Sequence, residues 1–289
     1  MDKQQENELQ RLREENKKLR EECNQYYDEV QRINQRLEEA ENFKSHFIAK
    51  ITNELINPFT SIMGLSKTIL ASKKEEWKKV ISLLSLVHSE AFELDFQLRN
   101  MLWAARIEAG ELEPKNSKID LTSFCDNIKE SIGHYISRKK LHFNMQYEFE
   151  NEDSHFTTDP EKLQIILYNL IKNAINHSPE NQTVKTEIKT QSNNLVIIVS
   201  DKGIGIAEEQ KQFIFDRFKQ VDDTINSIYR GQGLGLAVTK ALSDFMEATI
   251  EINSKPNAGT EFTVTIPESS GNIPGFAVNG NEMFFDEEF

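Results

Sequence analysis

From Met1 to about Asn42 the chain contains no Gly or Pro. Its apolar residues there keep a strict three-four spacing: Leu9, Leu12, Leu19, Cys23, Tyr26, Val30, Ile33, Leu37 and Ala40. That spacing draws one stripe along a helix, and sustained over several heptads it is the seam of a coiled coil. With Leu9 at position a, Leu12 and Leu19 fall at d and Asn16 falls at a. An Asn on the seam lowers stability but fixes register and favours a parallel dimer, because its amide pairs with its twin. At ~1.5 Å per residue such a rod reaches about 60 Å. This segment reads as a transmitter or dimerisation arm, not a catalytic unit.

The rod runs into a second helical region. Phe43 to Leu70 reads as one helix bent at Pro58, which removes a backbone donor. A polar turn follows from Lys73 to Lys79, and Glu76 to Ala109 reads as a second long helix with apolar stripes that stops at Gly110. A two-helix hairpin cannot bury both stripes alone, so a dimeric four-helix bundle is expected. Beyond it the texture becomes mixed α/β. Strand-like runs are "LHFNMQYEF", "TVKTEIKTQ", "LVIIVSD" and "EFTVTIP", between the helical stretches "DLTSFCDNIKESIGHYI", "DPEKLQIILYNLIKNAINH" and "GLAVTKALSDFM". Their alternation indicates a sheet covered by helices. The expected organisation is therefore a coiled coil over 1–42, a helical hairpin over 43–110, an α/β domain over 111–268 and an acidic, disordered tail over 269–289.

The net charge of −13 argues against nucleic acid or an anionic membrane surface as partner. Cys23 and Cys125, the two cysteines, lie far apart and give no disulfide framework. No apolar run approaches the roughly 18 residues of a membrane span, and the N-terminus is charged, so a cytoplasmic location is expected.

Four stretches carry chemistry. "NLIKNAINH" sets Asn169 and Asn173 four residues apart on one helix face, where amide oxygens suit a hard cation such as Mg²⁺ that shares its shell with phosphates. "DKGIGI" ends a buried strand at Asp201, an acceptor for an exocyclic amine. Gly203 and Gly205 there let backbone approach a flat base. "RGQGLGLAVTKAL" supplies Gly231, Gly233 and Gly235 before a helix, a loop able to close over phosphates at a helix N-terminus. It lacks the Lys-Ser/Thr ending of a Walker loop and follows no strand. "IFDRF", with Phe215 and Phe218, lies between the two Gly motifs and reads equally well as plain core.

Together, in this order, these stretches resemble the N, G1, F and G2 boxes of the histidine-kinase ATP-binding domain, and "AGTEF" (Ala258 to Phe262) resembles its closing Gly-Thr element. The hairpin resembles the same family's phosphoacceptor helices, in "KITNELINPF" at Lys50 to Phe59 and in the exit "RIEAGELEP". The resemblance covers roughly Phe43 to Pro267 and implies a Bergerat-type α/β sandwich of the Hsp90-like ATPase kind. It implies ATP and Mg²⁺ as ligands, with Asn169 and Asn173 on the metal and phosphates and Asp201 on adenine. Gly203, Gly205, Gly231, Gly233 and Gly235 would shape the base pocket and lid, with Thr260 also among the ATP-binding residues. The Lys common after the second Asn of the N box is Asn176 here, leaving Lys172 or Arg230 as candidate phosphate cations.

In that family an acceptor His precedes the acid, and here Asn53 precedes Glu54. An amide nitrogen has its lone pair delocalised and is no nucleophile, whereas a neutral imidazole is. Autokinase activity is therefore expected to be absent. The resemblance also implies a phosphatase element, an acid followed three residues later by Thr or Asn; Glu54 and Asn57 fit it. The implied partners are a second copy of the chain and a response-regulator receiver domain. Three readings stay open: a phosphatase or sequestering partner of a response regulator, a kinase acting in trans on a His of another histidine kinase, and an ordinary kinase whose His was replaced by Asn53.

Overall fold

The computed structural model describes residues 3–73, 76–150, 153–216 and 233–270. The chain divides into two units, Met1–Ile56 and Asn57–Phe289. Helix α1 runs Lys3–Leu70 with Pro58 inside it. Within the first unit Leu12, Leu19, Tyr26, Val30 and Ile33, residues of the stripe expected to form a seam, are all more than half exposed among the described residues.

In the second unit, α2 spans Trp77–Ala109 and ends as its sequence foretells: Gly110 takes φ 68°, and its N–H donates to the carbonyls of Arg106 and Ile107. That left-handed cap is cheap for Gly and strained for other residues. Next come β1 (Ser117–Asp120), α3 (Leu121–Arg138), β2 (His142–Glu148), β3 (His155–Thr158) and α4 (Pro160–His177). They are followed by β4 (Thr183–Gln191), β5 (Asn194–Ser200), the single turn α5 (Glu208–Lys211), α6 (Gly235–Phe245), β6 (Thr249–Ser254) and β7 (Thr260–Pro267). The four strand-like runs and three helical stretches expected in this region all form. Strands β1, β3 and β6 are not among the expected runs: two of them are only four residues long, and β6 alternates but carries only two apolar residues, Ile250 and Ile252.

A five-stranded sheet in the order β2-β4-β5-β7-β6 forms the floor of the domain, and only the β2–β4 pair is parallel. β1 and β3 pair separately. Alternate residues of the central strands are buried: Leu195, Ile197 and Val199 on β5, and Phe262, Val264 and Ile266 on β7. A period of two is what a sheet with one covered face requires. Helix α4 supplies much of the cover through Leu163, Ile166, Leu167, Leu170 and Ile171, each at most 1% exposed. At roughly 1.5–3 kcal/mol per fully buried side chain, α4 is a principal hydrophobic contribution to the fold. Its start is set by Asp159, whose carboxylate accepts from the Lys162 N–H, with Pro160 at the first helical position. The Lys162 ammonium is buried, and pairs with Asp159 while donating to the Glu113 carbonyl at 2.7 Å.

Helix α6 is seated from two sides. Leu234, Ala237, Val238 and Ala241 lie against Ala104 and Ile107 at the end of α2, and α6 also packs on α4.

Candidate functional site

Of the sequence-derived site residues, Asp201 follows β5, Thr260 opens β7, Gly235 opens α6, and Asn169 and Asn173 lie within α4. Asn169 sits mid-helix in α4, 4% exposed, with neither its amide oxygen nor its amide nitrogen hydrogen-bonded among the described residues. A buried amide without partners is costly, about 1–3 kcal/mol, and in a native fold it is commonly a group awaiting a ligand. Its oxygen faces the first residue of α6: a Cβ on Gly235 would stand 3.1 Å from Asn169 Oδ1. Asn173, one turn on, is half-buried.

Asp201 follows β5 directly, and its N–H donates to the Thr260 carbonyl at 2.9 Å. Its Oδ1 accepts from the Gly203 N–H at 2.7 Å and from the Thr260 N–H at 3.3 Å. Oδ2 takes no hydrogen bond among the described residues. Burial raises the pKa of Asp201, and the N–H groups of Gly203 and Thr260 offset this only in part. The carboxylate is thus under-solvated and under-bonded, suited to accept from an incoming amine.

Gly203 and Gly205 are required by approach rather than by flexibility alone. A Cβ at 203 would collide with the His177 carbonyl oxygen at the end of α4. One at 205, where φ is 67°, would collide with the Lys255 carbonyl. The loop is therefore clamped between α4 and the β6–β7 turn, which holds Asp201 and Thr260 together. Gly233, at φ 65°, turns the chain into α6. Among the described residues no side chain caps the α6 N-terminus, whereas Asp120 and Asp159 cap α3 and α4. Bare N–H groups and the positive end of the helix dipole make such a terminus receptive to an anion.

Residues 158–270 match the family model described as histidine kinase-, DNA gyrase B- and HSP90-like ATPase. The chain is similar to the circadian input-output histidine kinase CikA of Synechocystis, 31% identical over 236 residues, which cover 80% of this chain and 31% of that protein. It is 26% identical over 237 residues to the sensor histidine kinase YcbM of Bacillus subtilis, covering 82% of this chain and 75% of that one. These matches support a sensor histidine kinase family with an ATP-binding domain. The chain spans about a third of the length of the first curated relatives that it matches. A solved structure, full-length ShkA in complex with AMPPNP, shares the fold at TM-score 0.54 and 21% identity, over 79% of this chain and 46% of that one.

The histidine-kinase fold thus brings Asn169 to Gly235, and Asp201 to Gly203 and Thr260. Arg230, Gly231 and Phe218 lie outside the described residues, as does the tail beyond residue 270. Asn53 and Glu54 lie within α1, their side chains outside the described residues; Asn57 is exposed on the same helix. No hydrogen bond links the Asn57 side chain to the residues around Asn169 and Asp201 among the described residues.

Two features were not anticipated. Lys172, a candidate phosphate cation from the sequence, instead places its ammonium 2.5 Å from Glu93 Oε1 on α2. Tyr135 Oη donates to Glu93 Oε2 at 2.9 Å, and Gln97 donates to Oε1 at 2.9 Å. The Lys172 ammonium also lies 4.0 Å from the centre of the Phe96 ring. Burial pushes the Glu93 carboxyl up, but the Lys172 charge and the hydrogen bonds from Lys172, Tyr135 and Gln97 outweigh it and hold the pKa below its ordinary value. The same environment, burial first and then the Glu93 charge, pushes the Tyr135 phenol well up. The second feature is Lys139, whose ammonium donates to the carbonyls of Ile175, at 2.6 Å, and Asn176. It caps the end of α4 that Gly203 abuts. No local motif announces either lysine, since both partners lie far away in the chain.

Proposed function

We propose that this chain is an ATP-binding, two-component signalling protein that cannot phosphorylate itself and acts on a response-regulator receiver domain as phosphatase or sequestering partner. The observation that carries the nucleotide reading is the buried Asn169 amide, without a hydrogen-bond partner among the described residues and facing the N-terminus of α6.

The residues fit the ligand. The Asn169 and Asn173 oxygens are neutral ligands of the hard type, suited to Mg²⁺ beside phosphates. When bound, Mg²⁺ supplies charge neutralisation to the triphosphate. The α6 terminus, which opens at Gly235 with Gly231 and Gly233 before it in sequence, offers N–H groups to phosphate oxygens, and Arg230 is the other candidate cation once Lys172 is held by Glu93. Asp201 and Thr260 receive the adenine edge.

Asn53 removes the nucleophile of the autokinase reaction, while Glu54 and Asn57 retain what water-mediated dephosphorylation of an aspartyl phosphate needs, namely groups that orient a water. The exposed α1 and α2 apolar residues, among them Phe59, Met63, Trp77, Ile81 and Leu84, support a homodimer closed by a four-helix bundle and extended by the 1–42 coiled coil. The reading sets the hairpin at 43–110, the ATPase domain at 111–268, an acidic tail at 269–289, and the whole in the cytoplasm.

Incubation with labelled ATP tests it. The expected result is Mg²⁺-dependent nucleotide binding without acid-labile phosphoprotein, and labelling after Asn53→His. Labelling of the unaltered chain at another His refutes the absence of autokinase activity, and transfer to the His of a second kinase moves the function to phosphorylation in trans.

A further inference from the structure

The corner of the site formed by Asp201 and Thr260 is braced by a residue outside the sequence motifs, Ser254, the last residue of β6 and 6% exposed. Its hydroxyl makes three contacts: 2.8 Å from the Ile206 backbone nitrogen, 2.9 Å from the Gly259 carbonyl oxygen and 2.9 Å from Thr260 Oγ1. A hydroxyl owns one proton and two lone pairs. The Ile206 N–H only donates, so one lone pair of Ser254 accepts it. The Gly259 carbonyl only accepts, so the single proton of Ser254 goes there. What remains is one lone pair, so the Thr260 hydroxyl is the donor in the third contact. Its proton is thereby turned onto Ser254, and its own lone pairs are left for whatever enters the site. Thr260 is tied to Asp201 through its backbone N–H, and Asp201 Oδ2 is a further acceptor with no hydrogen bond among the described residues. The corner therefore presents acceptors and no hydroxyl proton.

We propose that Ser254 is a positioning residue that sets base preference: by consuming the Thr260 proton it makes the site demand a donor at purine position 6. It thus favours the amine of adenine over the carbonyl of hypoxanthine or guanine. The proposal rests on the ATP reading above and deepens it. The Ile206 and Gly259 contacts tie both flanking loops to the same oxygen, so the proton order is imposed by backbone geometry that persists without ligand.

The test is calorimetric titration of the full chain with Mg²⁺–ATP and Mg²⁺–ITP, which differ only in the position-6 group and the N1 proton that accompanies it. The unaltered protein is expected to prefer ATP by about a hundredfold or more, as expected where unlike polar groups must be matched. Ser254→Ala frees the Thr260 proton to turn toward a carbonyl, and the ATP:ITP ratio should fall about tenfold. Ser254→Cys, close in size but with a weak acceptor, should move the ratio the same way and covers the case in which the Ala variant does not fold. In a Thr260→Ala background, adding Ser254→Ala should leave the ratio unmoved, because no hydroxyl remains to be oriented. If Ser254→Ala and Ser254→Cys weaken ATP and ITP by the same factor, Ser254 is a structural brace only and the proposal is overturned. If the unaltered chain binds neither nucleotide, the ATP reading itself fails.

Discussion

Replacing Lys172 by Met tests whether the ATPase domain is fastened to α2 by the Glu93 cluster. The two side chains are 17% and 24% exposed, so the pair sits between a surface ion pair, about 0–1 kcal/mol, and a fully buried one, whose breakage costs roughly 3–5 kcal/mol. Glu93 keeps Tyr135 and Gln97 as donors after the change, so its carboxylate is not left bare. That places the expected loss near ~2 kcal/mol, or about 4–8 °C in Tm for a unit of this size. In a cycle with Glu93→Gln, the coupling between the two changes should be roughly 1–2 kcal/mol. The pH dependence has a definite sign. The folded-state pKa of Glu93 lies below its ordinary value, so its contribution is complete above the ordinary Glu range, near ~4.3, and is lost as pH falls through the lower folded value. The Tm gap between unaltered chain and Lys172→Met should therefore stay constant at neutral pH and close only in acid. Thermal melts from neutral pH into acid measure all three quantities. A Lys172→Met melt within about 1 °C of the unaltered chain, or a coupling under ~0.5 kcal/mol, would falsify the fastening argument.

Asp201→Asn should weaken adenine-nucleotide binding by tenfold or more in calorimetry, since a paired acceptor becomes in part a donor, while raising the nucleotide-free Tm slightly because a charge that burial disfavours is removed. Gly235→Ala should fold with a near-normal melt yet bind nucleotide about tenfold more weakly, because its Cβ would stand 3.1 Å from Asn169 Oδ1 and displace the amide. With a phosphorylated receiver domain, Asn57→Ala should leave binding nearly intact and slow dephosphorylation about tenfold, the size of one positioning group; no acceleration by the unaltered chain marks it as a binder rather than an enzyme.

Much of this architecture was written in local pattern. The long helices, the left-handed stop at Gly110 and the strands β4, β5 and β7 follow from periodicity and from residues with special backbone freedom, which act over a few positions. The Asn169, Asp201 and glycine motifs were legible for the same reason: each is a short segment whose chemistry is set by its own residues. What sequence spacing could not reveal are pairings between distant segments. Glu93 meets Lys172 across 79 positions, Lys139 reaches the end of α4, and Ser254 takes the Thr260 proton only because β6 and β7 pair in that register. A charged or hydroxyl side chain has no intrinsic partner. Its role is decided by which lone pairs and protons the packed fold places within about 3 Å, and that is a property of the tertiary structure alone.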